Sequence, residues 1–222
     1  MIAYIPARGG SKRIPRKNIK PLGGRPIIAH VIETLKTLDF INHIYVSTDD
    51  YEIQSVAKEY GAETGKLRSE ELSDDFVDLI SLIREDVPRF AKNDDDLLLA
   101  LPTAALVKKN HYYEAFDIYK LYTPQILMSV IEYPVNPLWA MKKGADGYWK
   151  PLHPEAIKMR SQDLPKTCVD AGLFYIMKWK EVQKYESLMA DKLLVYQVPA
   201  EIAVDVDTSQ DWQRLEALYR ER

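Results

Sequence analysis

One cysteine, Cys168, stands in 222 residues. A lone cysteine forms no internal disulfide framework, and the chain is expected in a reducing cytoplasm. Long apolar runs are also missing. None approaches the ~20 residues that a membrane-spanning helix needs, so no membrane partner is expected. The opening MIAYIPARGG has no basic segment ahead of a long apolar stretch, so no secretory signal is expected there. The four histidines, His30, His43, His111 and His153, are scattered without metal-ligand spacing. Internal repeats and low-complexity tracts are lacking. What is present is ordinary for a globular chain, 46% hydrophobic and 28% charged. That composition and length allow a sizeable core in one domain spanning 1–222.

Acidic side chains are absent from one stretch. Residues 1–32 hold seven basic residues and no acid, the first acid being Glu33. The rest holds 23 basic and 33 acidic residues, a net of −10 against −3 for the whole chain. A nucleic-acid binder would spread basic charge over a face of the domain. Here the basic charge is local and the protein acidic, so no nucleic-acid partner is expected. The charge concentrates in RGGSKRIPRKN, Arg8 to Asn18. Gly9 and Gly10 let backbone N–H groups approach an anion, because no Cβ intervenes. Arg8 offers a planar fork, and Lys12 and Lys17 offer point charges. The set suits a polyphosphate, yet its spacing fits neither the GxxxxGK[ST] loop nor the dinucleotide GxGxxG pattern.

Strand and helix signals alternate. Ile2 to Ala7, His43 to Ser47, Leu97 to Leu101, Ile126 to Tyr133, Asp170 to Met177 and Leu193 to Val198 read as strands. Helices are expected from Ile27, with Pro26 at the first helical position, and over Tyr51 to Tyr60, Phe76 to Arg84, Tyr112 to Leu121 and Trp212 to Tyr219. Asp94-Asp95-Asp96 reads as a solvated loop. The order implies βαβ units and a largely parallel sheet, with ligands beyond the carboxyl ends of the strands. Residues 134–168 break the rhythm with five prolines and read as a hairpin-like insertion.

Asp205 and Asp207 form the acidic counterpart of the basic loop. At i and i+2 on an extended segment they point to one face, where both can reach one divalent cation. The same stretch also reads as a helix start, with Thr208 as cap and Asp211 three residues on. Asp49 and Asp50 are neighbours on a strand end and point apart. Asp50 suits the cap of the next helix, so neither is placed on the metal.

IPARGGSKRIPRKNIKPLGGRPII resembles the N-terminal signature of the acylneuraminate cytidylyltransferases. The resemblance continues in VSTDD (Val46 to Asp50), LRSEELSDD (Leu67 to Asp75), RSQDLP (Arg160 to Pro165), DAGLFY (Asp170 to Tyr175) and DVDTSQDW (Asp205 to Trp212), in family order. It implies an α/β, Rossmann-like, mainly parallel sheet flanked by helices, of the nucleotide-diphospho-sugar transferase type. It implies transfer of CMP from CTP to a nine-carbon 2-keto sugar acid with release of pyrophosphate. By the same resemblance Arg8, Ser11, Lys12, Asn18 and Arg68 hold the nucleotide, and Lys17 contacts phosphate in the transition state. Asp205 and Asp207 ligate Mg2+, with Mn2+ as its substitute. Arg160 meets the sugar carboxylate and Gln162 a hydroxyl or N-acyl group. The 134–168 insertion is the dimerisation element of a homodimer. RSQDLP together with DAGLFY is more similar to the pseudaminic acid branch than to the sialic acid branch, and apolar Leu101, where the family commonly has a polar residue, suits a sugar with fewer hydroxyls. Arg13 and Arg16 receive no role and are expected to be the more dispensable of the five basic residues. Three other readings stay open: a nucleotide-binding protein without catalysis, a transferase for the eight-carbon acid KDO, and a metal-dependent glycosyltransferase using Asp-x-Asp.

Overall fold

The computed structural model describes residues 1–74, 76–92 and 95–222, so Asp75 of LRSEELSDD and Asp94 of the acidic loop lie outside the described residues. At its centre is Ile2–Pro6 (β1). Side chains alternate across a strand, and both faces of this one are apolar. Ala3 and Ile5 enter one hydrophobic cluster, Ile2 and Tyr4 another. A strand apolar on both faces needs cover on both sides, which helices supply in parallel sheets.

Beyond the basic loop comes a short hairpin, Pro21–Leu22 (β2) and Arg25–Pro26 (β3), turned by Gly23 and Gly24 at φ 57° and 81°. Positive φ at both central residues favours glycine. The hairpin corrects the expectation for Pro26. This residue is extended, at ψ 137°, and the helix begins after it as Ile27–Lys36 (α1), burying Ile27, Ile28, Val31, Ile32 and Leu35. His43–Ser47 (β4) leads into Tyr51–Glu59 (α2), and Glu63–Thr64 (β5) follows. Leu79–Asp86 (α3) starts later than the expected Phe76, because the Asp78 carboxylate accepts the Ser81 N–H and sets the start. Asp96–Ala100 (β6) and Ile126–Glu132 (β7) fall where expected, while Lys109–Tyr122 (α4) begins a turn early.

Residues 134–168 hold a separate antiparallel pair, Met141–Lys143 (β8) and Trp149–Pro151 (β9). Then come Cys168–Lys178 (β10), Trp179–Val182 (α5), Leu193–Gln197 (β11) and Ser209–Arg220 (α6). The seven-stranded sheet runs β11-β7-β10-β6-β1-β4-β5. β10 is antiparallel to β6 and β7, and the other pairs are parallel. α1, α2, α4 and α6 pack into the cluster on one side of the sheet, α3 and α5 into that on the other. The chain goes outwards from β1 to β4 and β5, then returns to β6 on β1's opposite side. The loops after β1 and β6 therefore part, and a crevice opens at the carboxyl ends of these two strands. No helix among the described residues is long and apolar enough to cross a membrane.

Candidate active site

The crevice is a cleft of about 310 Å3. The basic loop lines it with Arg8, Ser11, Lys12, Arg13, Lys17 and Asn18. Arg68 joins from the stretch after β5, and Leu101, Pro102 and Thr103 from the loop after β6. Leu79 and Leu82 come from α3, and Asp205 and Asp207 from the segment ahead of α6. Six of the eight residues expected on the nucleotide side (Arg8, Ser11, Lys12, Lys17, Asn18, Arg68) thus share one wall system with both expected metal ligands. Gly9 and Gly10 are the other two.

Three contacts pin the loop. The Gly9 N–H donates to Asp49 Oδ1 at 2.8 Å, and a Cβ on Gly9 would stand 2.7 Å from Asp50 Oδ2. Glycine is therefore required here by packing against the start of α2, and its N–H is used within the protein rather than offered to an anion. Gly10 is exposed and nothing crowds it. Arg16 turns through the left-handed region, at φ 57°, and its guanidinium binds Asp50 and Glu52. This bond, more than its burial opposes, draws the Asp50 carboxyl below the usual carboxylate range, and the Ile53 and Glu52 N–H groups that Asp50 caps pull the same way. Asn18 is buried, and its Nδ2 donates to the Arg8 carbonyl at 2.9 Å. Asn18 thus shapes the loop as well as lining the cleft.

The Arg68 guanidinium is 3% exposed and stands 4.0 Å from Asp49 Oδ1, while its Nε has no hydrogen-bond partner. A buried guanidinium with an unused donor is costly in isolation and suits an incoming anion. Asp49, left off the metal by its strand position, is the carboxylate that joins Gly9 to Arg68. Its placement at the end of β4, next to β1, was the available signal.

Val206 is buried between Asp205 and Asp207, so both carboxylates face the cleft. Burial, and then the neighbouring Asp207, push the Asp205 carboxyl above its usual range, against the pull of Lys17 and Arg13. Lys17 Nζ donates to the Val206 carbonyl at 2.5 Å and lies 3.6 Å from Asp207 Oδ1. Arg13 Nη2 is 2.8 Å from the same oxygen, so this arginine is a site contact that the sequence reading left without a role. Thr208 and Asp211 form a reciprocal capping box on α6, so helix start and cleft-facing aspartates coexist. Two hard carboxylates on one wall would suit a divalent cation, with Asp205 and Asp207 as the residues to hold it.

Arg160 and Gln162 are not in the cleft. Arg160 is exposed and pairs with Asp163 at 2.8 Å. Gln162 lines a second cavity with Tyr133, Trp139 and Lys166. In DAGLFY, Tyr175 Oη donates to Asp170 Oδ2 at 2.5 Å, and the Gly172 N–H to Asp170 Oδ1 at 2.8 Å. Burial and then Asp170 push the Tyr175 phenol up, with Asp205 adding to it.

Comparison with solved structures defines the class of fold. CMP:2-keto-3-deoxy-manno-octonic acid synthetase complexed with CTP superposes with a TM-score of 0.73 at 15% identity, over 99% of this chain and 98% of that one. A 4-diphosphocytidyl-2C-methyl-D-erythritol synthase from Anaerococcus prevotii gives 0.69 at 13% identity, over 100% and 98%. The fold is that of these nucleotidyltransferases. A family profile described as Cytidylyltransferase matches residues 2–86. Pseudaminic acid cytidylyltransferase of Campylobacter jejuni is 32% identical over 99% of this chain and 96% of its own. CMP-N,N'-diacetyllegionaminic acid synthase of Legionella pneumophila is 33% identical over 98% and 95%. N-acylneuraminate cytidylyltransferase A of Danio rerio is 34% identical over 95% of this chain and 48% of its own. The chain belongs to the acylneuraminate cytidylyltransferase family and is a nucleotidyltransferase.

Proposed function

We propose that the protein transfers CMP from CTP to the anomeric hydroxyl of a nine-carbon 2-keto sugar acid, with pseudaminic acid as preferred acceptor, Mg2+ as cofactor and Mn2+ as its substitute. The observation that carries this reading is the meeting of Arg8, Lys12, Lys17 and Arg68 with Asp205 and Asp207 in one cleft. The cations suit a triphosphate, and the aspartates are hard oxygen donors.

In the reaction the anomeric oxygen bonds to the α-phosphorus, the bond from that phosphorus to the pyrophosphate oxygen breaks, and the hydroxyl loses its proton. Phosphoryl-type transfer depends mainly on positioning and electrostatics. Arg8, Ser11, Lys12 and Arg68 bind the nucleotide from a loop and segment already pinned by Asn18 and Asp49. The Lys17 ammonium is held by the Val206 carbonyl, fixed where negative charge develops. A divalent cation on Asp205 and Asp207 supplies further neutralisation of the phosphate oxygens.

Leu101 in the cleft wall supports an acceptor with fewer hydroxyls, such as a deoxy, di-N-acylated sugar. The relatives named for pseudaminic and legionaminic acid are nearly equal in identity, 32% and 33%, which makes legionaminic acid the second reading and N-acetylneuraminic acid the third. Arg160 and Gln162 meet the acceptor from the second subunit of a homodimer. The test is a pyrophosphate-release assay crossing four nucleotides with these three sugar acids. Release is expected with CTP and pseudaminic acid and lost in EDTA. Preferred turnover of N-acetylneuraminic acid overturns the acceptor, and no release with any pair overturns the reaction.

A further inference from the structure

Arg13 and Arg16 look interchangeable in RGGSKRIPRKN, and the fold separates them. Arg16 faces away from the cleft, locked to Asp50 and Glu52. Arg13 lines the cleft, its side chain 67% exposed, and its guanidinium stands 2.8 Å from Asp207 Oδ1. Lys17 approaches the same oxygen at 3.6 Å but is also tied to the Val206 carbonyl. One carboxylate oxygen therefore faces two positive groups. A divalent cation that takes this oxygen as a ligand meets both, and like charges at such distances repel. Lys17 is anchored twice, whereas the ion pair of Arg13 among the described residues is with Asp207. Arg13 is long, exposed and on a loop whose cleft-facing neighbours Arg8, Ser11 and Lys12 form the anion wall.

We propose that Arg13 is a further nucleotide-binding residue that works by exchange. It neutralises Asp207 in the empty protein, cedes that carboxylate to a divalent cation, and moves onto the nucleotide phosphates. The inference rests on the reading of Asp205 and Asp207 as cation ligands. Its physical core is a matter of partners. A cation arriving alone must strip Arg13 from Asp207 and leave the guanidinium without an anion beside a new positive charge. A cation arriving with a polyphosphate gives the guanidinium a replacement, bidentate in geometry. Binding of cation and of phosphates is thereby coupled through one side chain, and such coupling is reciprocal. Removing the guanidinium should affect the two ligands in opposite directions, a signature that a merely structural arginine does not give.

The experiment compares wild type, Arg13→Gln, Arg13→Lys and Asp207→Asn, each checked for fold by circular dichroism. Mn2+ binding to nucleotide-free protein is read by electron paramagnetic resonance, and pyrophosphate binding at saturating Mg2+ by calorimetry. Arg13→Gln should bind Mn2+ about threefold more tightly and pyrophosphate about threefold more weakly, the scale of one partly exposed ion pair. Arg13→Lys should lie nearer wild type in both. Unchanged values in Arg13→Gln, or both shifted the same way, overturn the exchange. If Mn2+ binding is lost in Asp207→Asn yet unmoved in Arg13→Gln, only the Arg13 proposal fails. If it survives Asp207→Asn, the cation reading of the aspartates has failed and the exchange falls with it.

Discussion

The Asp205 carboxyl holds its proton more tightly than a free aspartate, because it is partly buried and stands beside Asp207. A carboxyl raised in the fold favours folding below its unfolded pKa, about 3.9, and that contribution is lost as pH rises through the folded value. Near neutral pH the metal-free protein therefore carries a cost at this position, which a divalent cation bound there would relieve. Asp205→Asn is expected to raise Tm in EDTA near neutral pH and to lose that advantage as pH falls to the unfolded value, about 3.9. Mg2+ should raise the wild-type Tm more than that of the variant, while pyrophosphate release by the variant falls steeply. Thermal melts at the two pH values check this, and a Tm gap that ignores pH contradicts it. The carboxylate pair was legible in the sequence because i, i+2 spacing orients side chains by backbone geometry alone. The split between Arg13 and Arg16 was not, because it depends on one left-handed residue, Arg16 at φ 57°, which no local pattern demands of an arginine.

At the scale of elements, the start of α2 is the support of the basic loop. Asp50 caps the helix through two N–H groups, binds Arg16, and packs against Gly9. Its depressed pKa means that its stabilisation is present above the unfolded value and is lost as pH falls through the lower folded one. Asp50→Ala should cost about 1 kcal/mol for the cap alone, a Tm loss of roughly 2–4 °C in a chain of this size. Asp50→Asn keeps the acceptor and loses the ion pair, so it should recover most of that loss in thermal melts. If the alanine variant also raises KM for CTP and the asparagine variant does not, the cap sets the loop. The helices and the longer strands were legible because a face of apolar residues repeats every 3.6 or 2 positions. The hairpin β2–β3, the two-residue β5 and the four-residue α5 were not, since none of these elements is long enough to repeat its own period. The direction of β10 was also hidden, because a buried strand reads the same either way. What reverses it is the excursion over 134–168, which leaves the sheet after Glu132 and re-enters at Cys168, directly opposite that residue. β7 and β10 are thus the two arms of a wide hairpin, antiparallel by connection.

At the scale of the whole molecule, a single chain keeps its basic cleft apart from the RSQDLP stretch. Arg160 pairs with Asp163 and points to solvent, on an excursion that also exposes Tyr148, Trp149, Ile157 and Met159. Apolar side chains grouped on one projecting element usually mark an interface, and two copies related by a twofold axis bury the same patch twice. If Arg160 completes the cleft of the other subunit, two separately inactive variants should complement each other. Arg160→Ala keeps an intact cleft and lacks the reaching arginine, while Asp207→Asn keeps the arginine and lacks the cleft. In a mixed dimer one site combines the intact cleft with the intact arginine, and the other site combines both defects. Random re-association of equal amounts makes half of the dimers mixed, so about a quarter of wild-type activity should return. Light scattering should give twice the chain mass at assay concentration. Complementation distinguishes the two geometries: recovery requires that cleft and arginine come from different chains, whereas an arginine serving its own cleft leaves the mixture as inactive as its components.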